Sequence, residues 1–341
     1  MPKVTIYDVA KKAGVSAATV SKILNGTGRI SQETRQRVLA AIEALHYRPS
    51  MIATALKKHQ TFSIGLLIPD ITNPFYAGLA RAVEDHALAH NYSLLMCSTD
   101  NTAEREERQL EHVLRQQLDG LIVATSEAMS PEILTTLHHA QVRVVFVDRV
   151  LPNLPYPVIA TDHYQGSYLA TRHLLDLGHQ DITVFLEPLS LHSSLERLRG
   201  FARALEEQSI RFDNTSMFSE GFGVEAGYKL AQRLLAQRGT ASQLPTAIFA
   251  STDQLAIGAL QYFHEVHIAV PEHISIIGYD DIQMARIVSP PLTTVAQPIT
   301  AIGQQAVELL ISGRTLMATT VLLPPQIVVR ASTAAPRSCE A

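Results

Sequence analysis

From residue 62 onward, short Val/Ile/Leu-rich runs alternate with helical stretches of about 15 residues, and the series occurs twice. The first set of runs is Phe62–Ile68, Tyr92–Cys97, Leu121–Ala124 and Val142–Val147, with helical periodicity centred near residues 81, 111 and 136. The second is Asp181–Phe185, an ill-defined run near Ser216, Ala247–Ala250 and Ile274–Tyr279, with helices near residues 171, 203, 230 and 259. Short, nearly continuous apolar runs are strands covered on both faces, so the pattern predicts parallel α/β sheets with helices on each side. Two series predict two lobes facing each other across a cleft. Open parallel sheets bind ligands beyond the carboxyl ends of their strands, so polar residues there are the first candidates for chemistry.

Those ends collect Asp70, Asn73, Phe75, Ser98, Ser126, Asp148 and Arg149 from the first lobe, and Ser193, Arg197, Ser251, Asp253 and Asp280 from the second. Carboxylates accept paired hydroxyl bonds and an aromatic face covers the apolar edge of a ring, so the set suits a small sugar or sugar phosphate. A nucleobase or nucleoside is the competing class. A buried aromatic pair able to sandwich a flat base would favour it; one aromatic with several carboxylates would favour carbohydrate. Asp148, His192, Ser193 and Asp253 are residue types used in acid–base catalysis, but nucleophile-elbow, phosphate-loop and metal-ligand spacings are missing from the sequence. The expectation is a binding protein, not an enzyme, with no cofactor and no metal.

Residues 1–60 follow different rules. They carry ten Lys/Arg against three Asp/Glu, whereas residues 61–341 carry 18 against 29, so a net charge of −4 conceals a basic head on an acidic body. Such a division points the head at a polyanion. Thr5 caps a helix starting at Ile6, with Asp8 in the reciprocal position, and Gly14 ends it. Ser16 opens a second helix, Ala17–Leu24, closed by Asn25-Gly26; Ser31 caps a third with a stripe of Val38, Leu39, Ile42 and Leu45. Helix, short turn, helix is the helix-turn-helix module, whose second helix enters a major groove of double-stranded DNA. Ala17, Ala18 and Lys22 are the expected base-edge contacts, while Thr5, Ser16, Thr19, Ser21, Asn25 and Arg29 are placed to hold phosphate. Met51–Lys58 is too short to hold a helix alone and is expected to order on DNA, with Lys57 and Lys58 on phosphate.

The remaining composition excludes other classes. At 341 residues the chain exceeds what one core serves. No apolar run approaches the roughly 20 residues of a bilayer span, and MPKVTIYDVA lacks a secretory pattern, so a cytoplasmic address with no membrane partner is expected. Cys97 and Cys339 form neither a disulfide framework nor a metal spacing.

Taken together, TIYDVAKKAGVSAATVSKILNG, SIGLLIPDITNPFY, DGLIVATS, ERLRGF, TDQLAIGALQ, VPEHISIIGYDD and PPLTTVAQP resemble, in order, the blocks of the lactose-repressor (LacI/GalR) family of bacterial transcription regulators, over residues 4 to about 330. The resemblance implies a homodimer on a near-palindromic operator, usually a repressor, with a small effector in a periplasmic-binding-protein-like (type I) two-lobed sensor. It implies a helix-turn-helix head (1–49), a hinge helix and linker (50–60), a sensor (61–330) and a flexible tail (331–341). Within the sensor it implies lobe 1 at 61–161 and 291–319 and lobe 2 at 162–290 and 320–330, with crossings near 161, 290 and 320. By the same resemblance Leu56 is the minor-groove wedge with Ala53 its close-packed neighbour, and Arg197 and Asp253 clamp the ligand. Phe75 becomes a pocket wall, Asp148 a cleft acceptor, and Gly278-Tyr279-Asp280 the strand-end turn.

Three departures from the family pattern stand out. Ser50-Met51-Ile52-Ala53-Thr54 lacks the cation many members carry before the hinge leucine, and Glu187-Pro188 replaces a common glycine at the pocket rim. The carboxyl end, AAPRSCEA, has no leucine heptads, which favours a dimer.

Overall fold

Local side-chain hydrogen bonds set three helices at the amino end: α1 (Ile6–Ala13), α2 (Ala17–Leu24) and α3 (Gln32–Ala44). The Asp8 carboxylate accepts from the Thr5 N–H at 2.8 Å and from its hydroxyl at 2.7 Å, fixing the start of α1. Gly14 ends that helix at φ 65, a left-handed conformation that costs a residue without Cβ little. Ser16 Oγ accepts from the Thr19 N–H at 3.2 Å and Ser31 Oγ from the Thr34 N–H at 3.3 Å, each satisfying an orphan donor of a first turn. Val9, Ala10, Ala13, Val20, Ile23, Val38 and Ala41 form the core. Leu39, expected in the apolar stripe of α3, is exposed; the buried side runs through Val38, Ala41, Ile42 and Leu45.

This computed structural model describes residues 4–24, 26–47, 60–124, 131–140, 142–150, 154–313 and 317–336. The chain divides into two units, residues 1–61 and 62–341. Asn25, Ala53, Leu56, Lys57 and Ser126, with the expected hinge helix, lie outside the described residues.

The second unit holds two six-stranded sheets. The first contains β1 (Ser63–Ile68), β2 (Ser93–Ser98), β3 (Gly120–Val123), β4 (Arg143–Val147), β5 (Val158–Thr161) and β11 (Thr320–Leu323), ordered β11-β5-β4-β3-β1-β2 and parallel throughout. Alternate residues of its strands face opposite helical layers. Leu66, Ile122 and Val145 meet α4 (Pro74–Ala89) and α11 (Ile299–Ile311), whereas Leu67, Leu121 and Val144 meet α5 (Ala103–Leu114) and α6 (Pro131–His139). The second sheet contains β6 (Ile182–Leu186), β7 (Met217–Ser219), β8 (Ala247–Ala250), β9 (Ser275–Asp280), β10 (Thr293–Ala296) and β12 (Gln326–Val328). Its order is β12-β10-β9-β8-β6-β7, with β12 antiparallel to β10. Its helices are α7 (His163–Asp176), α8 (His192–Glu207), α9 (Gly223–Arg238) and α10 (Asp253–Glu265). A Cβ on Gly227 would lie 2.1 Å from the Leu255 carbonyl oxygen, and one on Gly258 2.0 Å from that of Val224, so these glycines let α9 and α10 meet backbone to backbone.

Long-range pairing moves two of the expected lobe boundaries. Thr294 pairs with Gly278, which puts β10 in the second sheet; the chain crosses back after Ala296 rather than near 290. Val321 pairs with Ile159, which puts β11 in the first sheet; the third crossing falls between Leu323 and Gln326 rather than near 320. The tail also differs from expectation as far as residue 336. Ser332 is fully buried, its hydroxyl donating to the Ile276 carbonyl at 2.6 Å and accepting from the Thr293 N–H at 2.8 Å. Among the described residues no helix is long and apolar enough to cross a membrane.

Candidate functional site

The carboxyl ends of both sheets face a cavity of about 250 Å³ between the lobes. From lobe 1, Asp70 follows β1, Asn101 follows β2, Phe75 and Tyr76 begin α4, and Asp148 and Arg149 follow β4. From lobe 2, Glu187 follows β6, Ser193 and Arg197 lie on α8, Phe222 and Gly223 open α9, and Thr252 and Gln254 open α10. Asp280 ends β9 and Gln297 follows β10. Parallel strands put these residues together because every strand of a lobe delivers its chain to the same edge.

Two arginines and four carboxylates make the charged part of the lining. Tyr76 donates its hydroxyl proton to Asp148 at 2.9 Å and accepts from Arg149 Nη2 at 3.2 Å. Arg197 donates to the Ser251 carbonyl at 2.7 Å and lies over the Tyr279 ring, 4.1 Å from its centroid. Gln297 bridges the lobes, donating to Asp280 at 2.7 Å and accepting from Thr161 at 2.6 Å. His163 is a second bridge: Nε2 lies 3.2 Å from the Asp148 carbonyl, and Nδ1 lies 3.3 Å from both the Tyr279 hydroxyl and Arg197 Nη2. Burial, then the neighbouring Arg197 charge, pushes its pKa well down, so the ring is neutral, with Nε2–H donating to Asp148 and Nδ1 accepting. Burial pushes the carboxyls of Glu187 and Asp280 up, against the pull of Arg197 on each. Asp148 and Asp280 sit at φ 72 and φ 120, backbone conformations that L-residues rarely adopt.

The sequence-derived set divides on this geometry. Asp70, Asn73, Phe75, Asp148, Arg149, Ser193, Arg197 and Asp280 line the cavity. Ser98, Ser251 and Asp253 do not. Ser98 instead donates to Asp100 at 3.1 Å, and Ser251 Oγ accepts from the Glu187 N–H at 3.2 Å. Asp253, expected to clamp the ligand with Arg197, is completely buried inside lobe 2, accepting from the Ile282 N–H at 2.9 Å and from the Thr294 hydroxyl at 2.5 Å. It ties the loop after β9 to β10. Thr72, Tyr76, Asn101, Phe222, Thr252, Gln254 and Gln297 were not among the sequence candidates. Their signal was available: each lies within a few residues of a strand's carboxyl end or opens the following helix.

On the head, Ala18 and Lys22 lie one turn apart on α2 and are exposed. Ala17 is half-buried against the core, which leaves Ala18 and Lys22 as its base-edge candidates. Ser16 and Thr19 share a hydroxyl–hydroxyl bond of 2.9 Å at the helix start, and Arg29 is exposed in the following loop. The Thr5 hydroxyl proton is already given to Asp8, so Thr5 meets a phosphate only by turning it away. Ser21 is half-buried.

Residues 5–50 match the model of bacterial regulatory proteins of the lacI family, and residues 171–333 match that of the periplasmic binding protein-like domain. The chain is 38% identical to the HTH-type transcriptional regulator DegA of Bacillus subtilis over 97% of this chain and 98% of DegA. It is 36% identical to the HTH-type transcriptional repressor PurR of Pasteurella multocida over 96% of this chain and 98% of that protein. The crystal structure of the lac repressor dimer bound to operator and the anti-inducer ONPF superposes with a TM-score of 0.86 at 29% identity, covering 98% of this chain and 100% of that one. With such similarity across both units, the protein belongs to the lacI family of bacterial regulatory proteins, as a DNA-binding transcription regulator under small-molecule control.

Proposed function

We propose that the chain represses transcription as a homodimer on a near-palindromic operator, and that its effector is a nucleobase or nucleoside held between Phe75 and Phe222. The observation that carries the effector class is the pair of rings, one from each lobe, on a single cavity of about 250 Å³. Phe75 is a buried wall, whereas Phe222 is 43% exposed and open to cover by a ligand. The volume lies below the roughly 300–1,000 Å³ of sites for drug-sized ligands, in keeping with a single small ring system. Stacking on aromatic faces contributes about 1–3 kcal/mol per base. Dimeric operator binding is supported by the overlap with the lac repressor dimer on its operator.

A specific observation favours carbohydrate as the second reading: Asp70, Asp148, Glu187 and Asp280 all line the cavity and could take paired hydroxyls. A thermal-shift panel of nucleobases, nucleosides, sugars and sugar phosphates on the full chain separates the two. Stabilisation by nucleobases alone supports the main reading. Stabilisation by sugars alone replaces it.

A further inference from the structure

Glu187 is 6% exposed and faces the cavity, yet among the described residues no group donates a hydrogen bond to its carboxylate. Its backbone is pinned on both sides, N–H to Ser251 Oγ and carbonyl from Ser219 Oγ, each at 3.2 Å. The side chain is therefore presented to the cavity by fixed main chain. Arg149 and Arg197 line the same cavity and attract it electrostatically, while Asp148 repels it. Arg197 is committed elsewhere, Nη1 to the Ser251 carbonyl and Nη2 beside His163. A ligand that fills the cavity strips solvent from this acceptor, which is costly unless the ligand supplies donors in its place.

We propose that Glu187 decides which effectors the cavity admits: it takes a pair of hydrogen-bond donors from a neutral or cationic ligand and excludes anions from the field of Arg149 and Arg197. The proposal rests on the reading of this cavity as the effector site and narrows the ligand chemistry. For a flat heterocycle the donor pair is an amino group beside a ring N–H; for a sugar it is a vicinal diol. Phosphorylated or carboxylated ligands would place like charge against Glu187.

The test uses the full chain without DNA as wild type, Glu187→Gln and Glu187→Gly, with inorganic phosphate as probe, followed by calorimetry and thermal shift. Because all three proteins share the same head, the difference between them reports on the cavity. Removing one negative charge beside two arginines tightens phosphate binding by about 10- to 100-fold in both variants. Equal phosphate affinity in the three proteins overturns the proposal. A second arm compares guanine with hypoxanthine, and ribose with ribose 5-phosphate, on the same proteins. If phosphate binding responds to Glu187 but only the sugars bind, the proposal stands and the nucleobase reading fails. If guanine binds while phosphate is indifferent to Glu187, the nucleobase reading stands and the proposal fails.

Discussion

Asp253→Asn isolates the effect of a buried carboxyl that forms no ion pair among the described residues. Burial raises the Asp253 pKa from 3.8 to about 7, and the hydrogen bonds from Thr294 and Ile282 only partly offset that rise. The folded state therefore holds a proton that the unfolded chain releases. Below pH 3.8 both states are protonated and the group is neutral to stability. Between there and pH 7 stability falls as pH rises, because the unfolded chain gains an ionised state the folded one lacks. Three pH units of separation, at about 1.4 kcal/mol per unit, give a penalty of about 4 kcal/mol, complete above pH 7. Asparagine keeps both bonds without the charge, its oxygen accepting from the Ile282 N–H and its amide donating to the Thr294 hydroxyl. Guanidinium unfolding at fixed protein concentration from pH 4.5 to 8, followed by far-UV circular dichroism because the chain lacks Trp, compares the two proteins. Wild type should lose stability relative to the variant across this range. Profiles parallel within about 0.5 kcal/mol, a spread ordinary for surface changes, would refute the argument.

Three further outcomes follow from named contacts. Lys22→Ala should cost about 1–3 kcal/mol and relax preference at one operator position per half-site; equal loss on all operator variants in salt-dependent titrations would make it a phosphate contact. Phe222→Ala should weaken nucleobase binding by about 1–3 kcal/mol by calorimetry, and unchanged binding would remove this ring from the site. Ser332→Ala leaves the buried Thr293 N–H without its 2.8 Å partner and should lower unfolding stability by about 1–3 kcal/mol; no change would mean that a water or a backbone shift replaces the hydroxyl.

The head was legible in the sequence because its boundaries are local. Thr5 with Asp8, Gly14, Ser16 and Ser31 each act within four residues, and the helices start and stop where these caps place them. The long apolar runs of both lobes were legible for a similar reason, since burial on both faces leaves a local pattern. Strands β5, β10, β11 and β12 carry three or four residues each and are defined by partners far along the chain, so the lobe crossings and the docked tail escaped a local reading. At the site, position was readable but side-chain direction was not. Asp253 and Gln254 are neighbours at the start of α10, and the first turns inward to Ile282 while the second lines the cavity. Glu187 was visible as a departure from the family pattern; that no described residue donates a hydrogen bond to its carboxylate became visible only in three dimensions.

In the function proposed above, operator binding is coupled to occupation of the cavity between the lobes. Fluorescence anisotropy on an operator selected from a random library, titrated with and without the effector found in the ligand panel, measures that coupling directly. Allosteric coupling is typically about 1–3 kcal/mol, so saturation should change operator affinity by about 5- to 150-fold. Linkage requires operator to change effector affinity by the same factor, measured by calorimetry on the preformed complex. Operator affinity that is indifferent to a ligand shown to occupy the cavity would contradict the account.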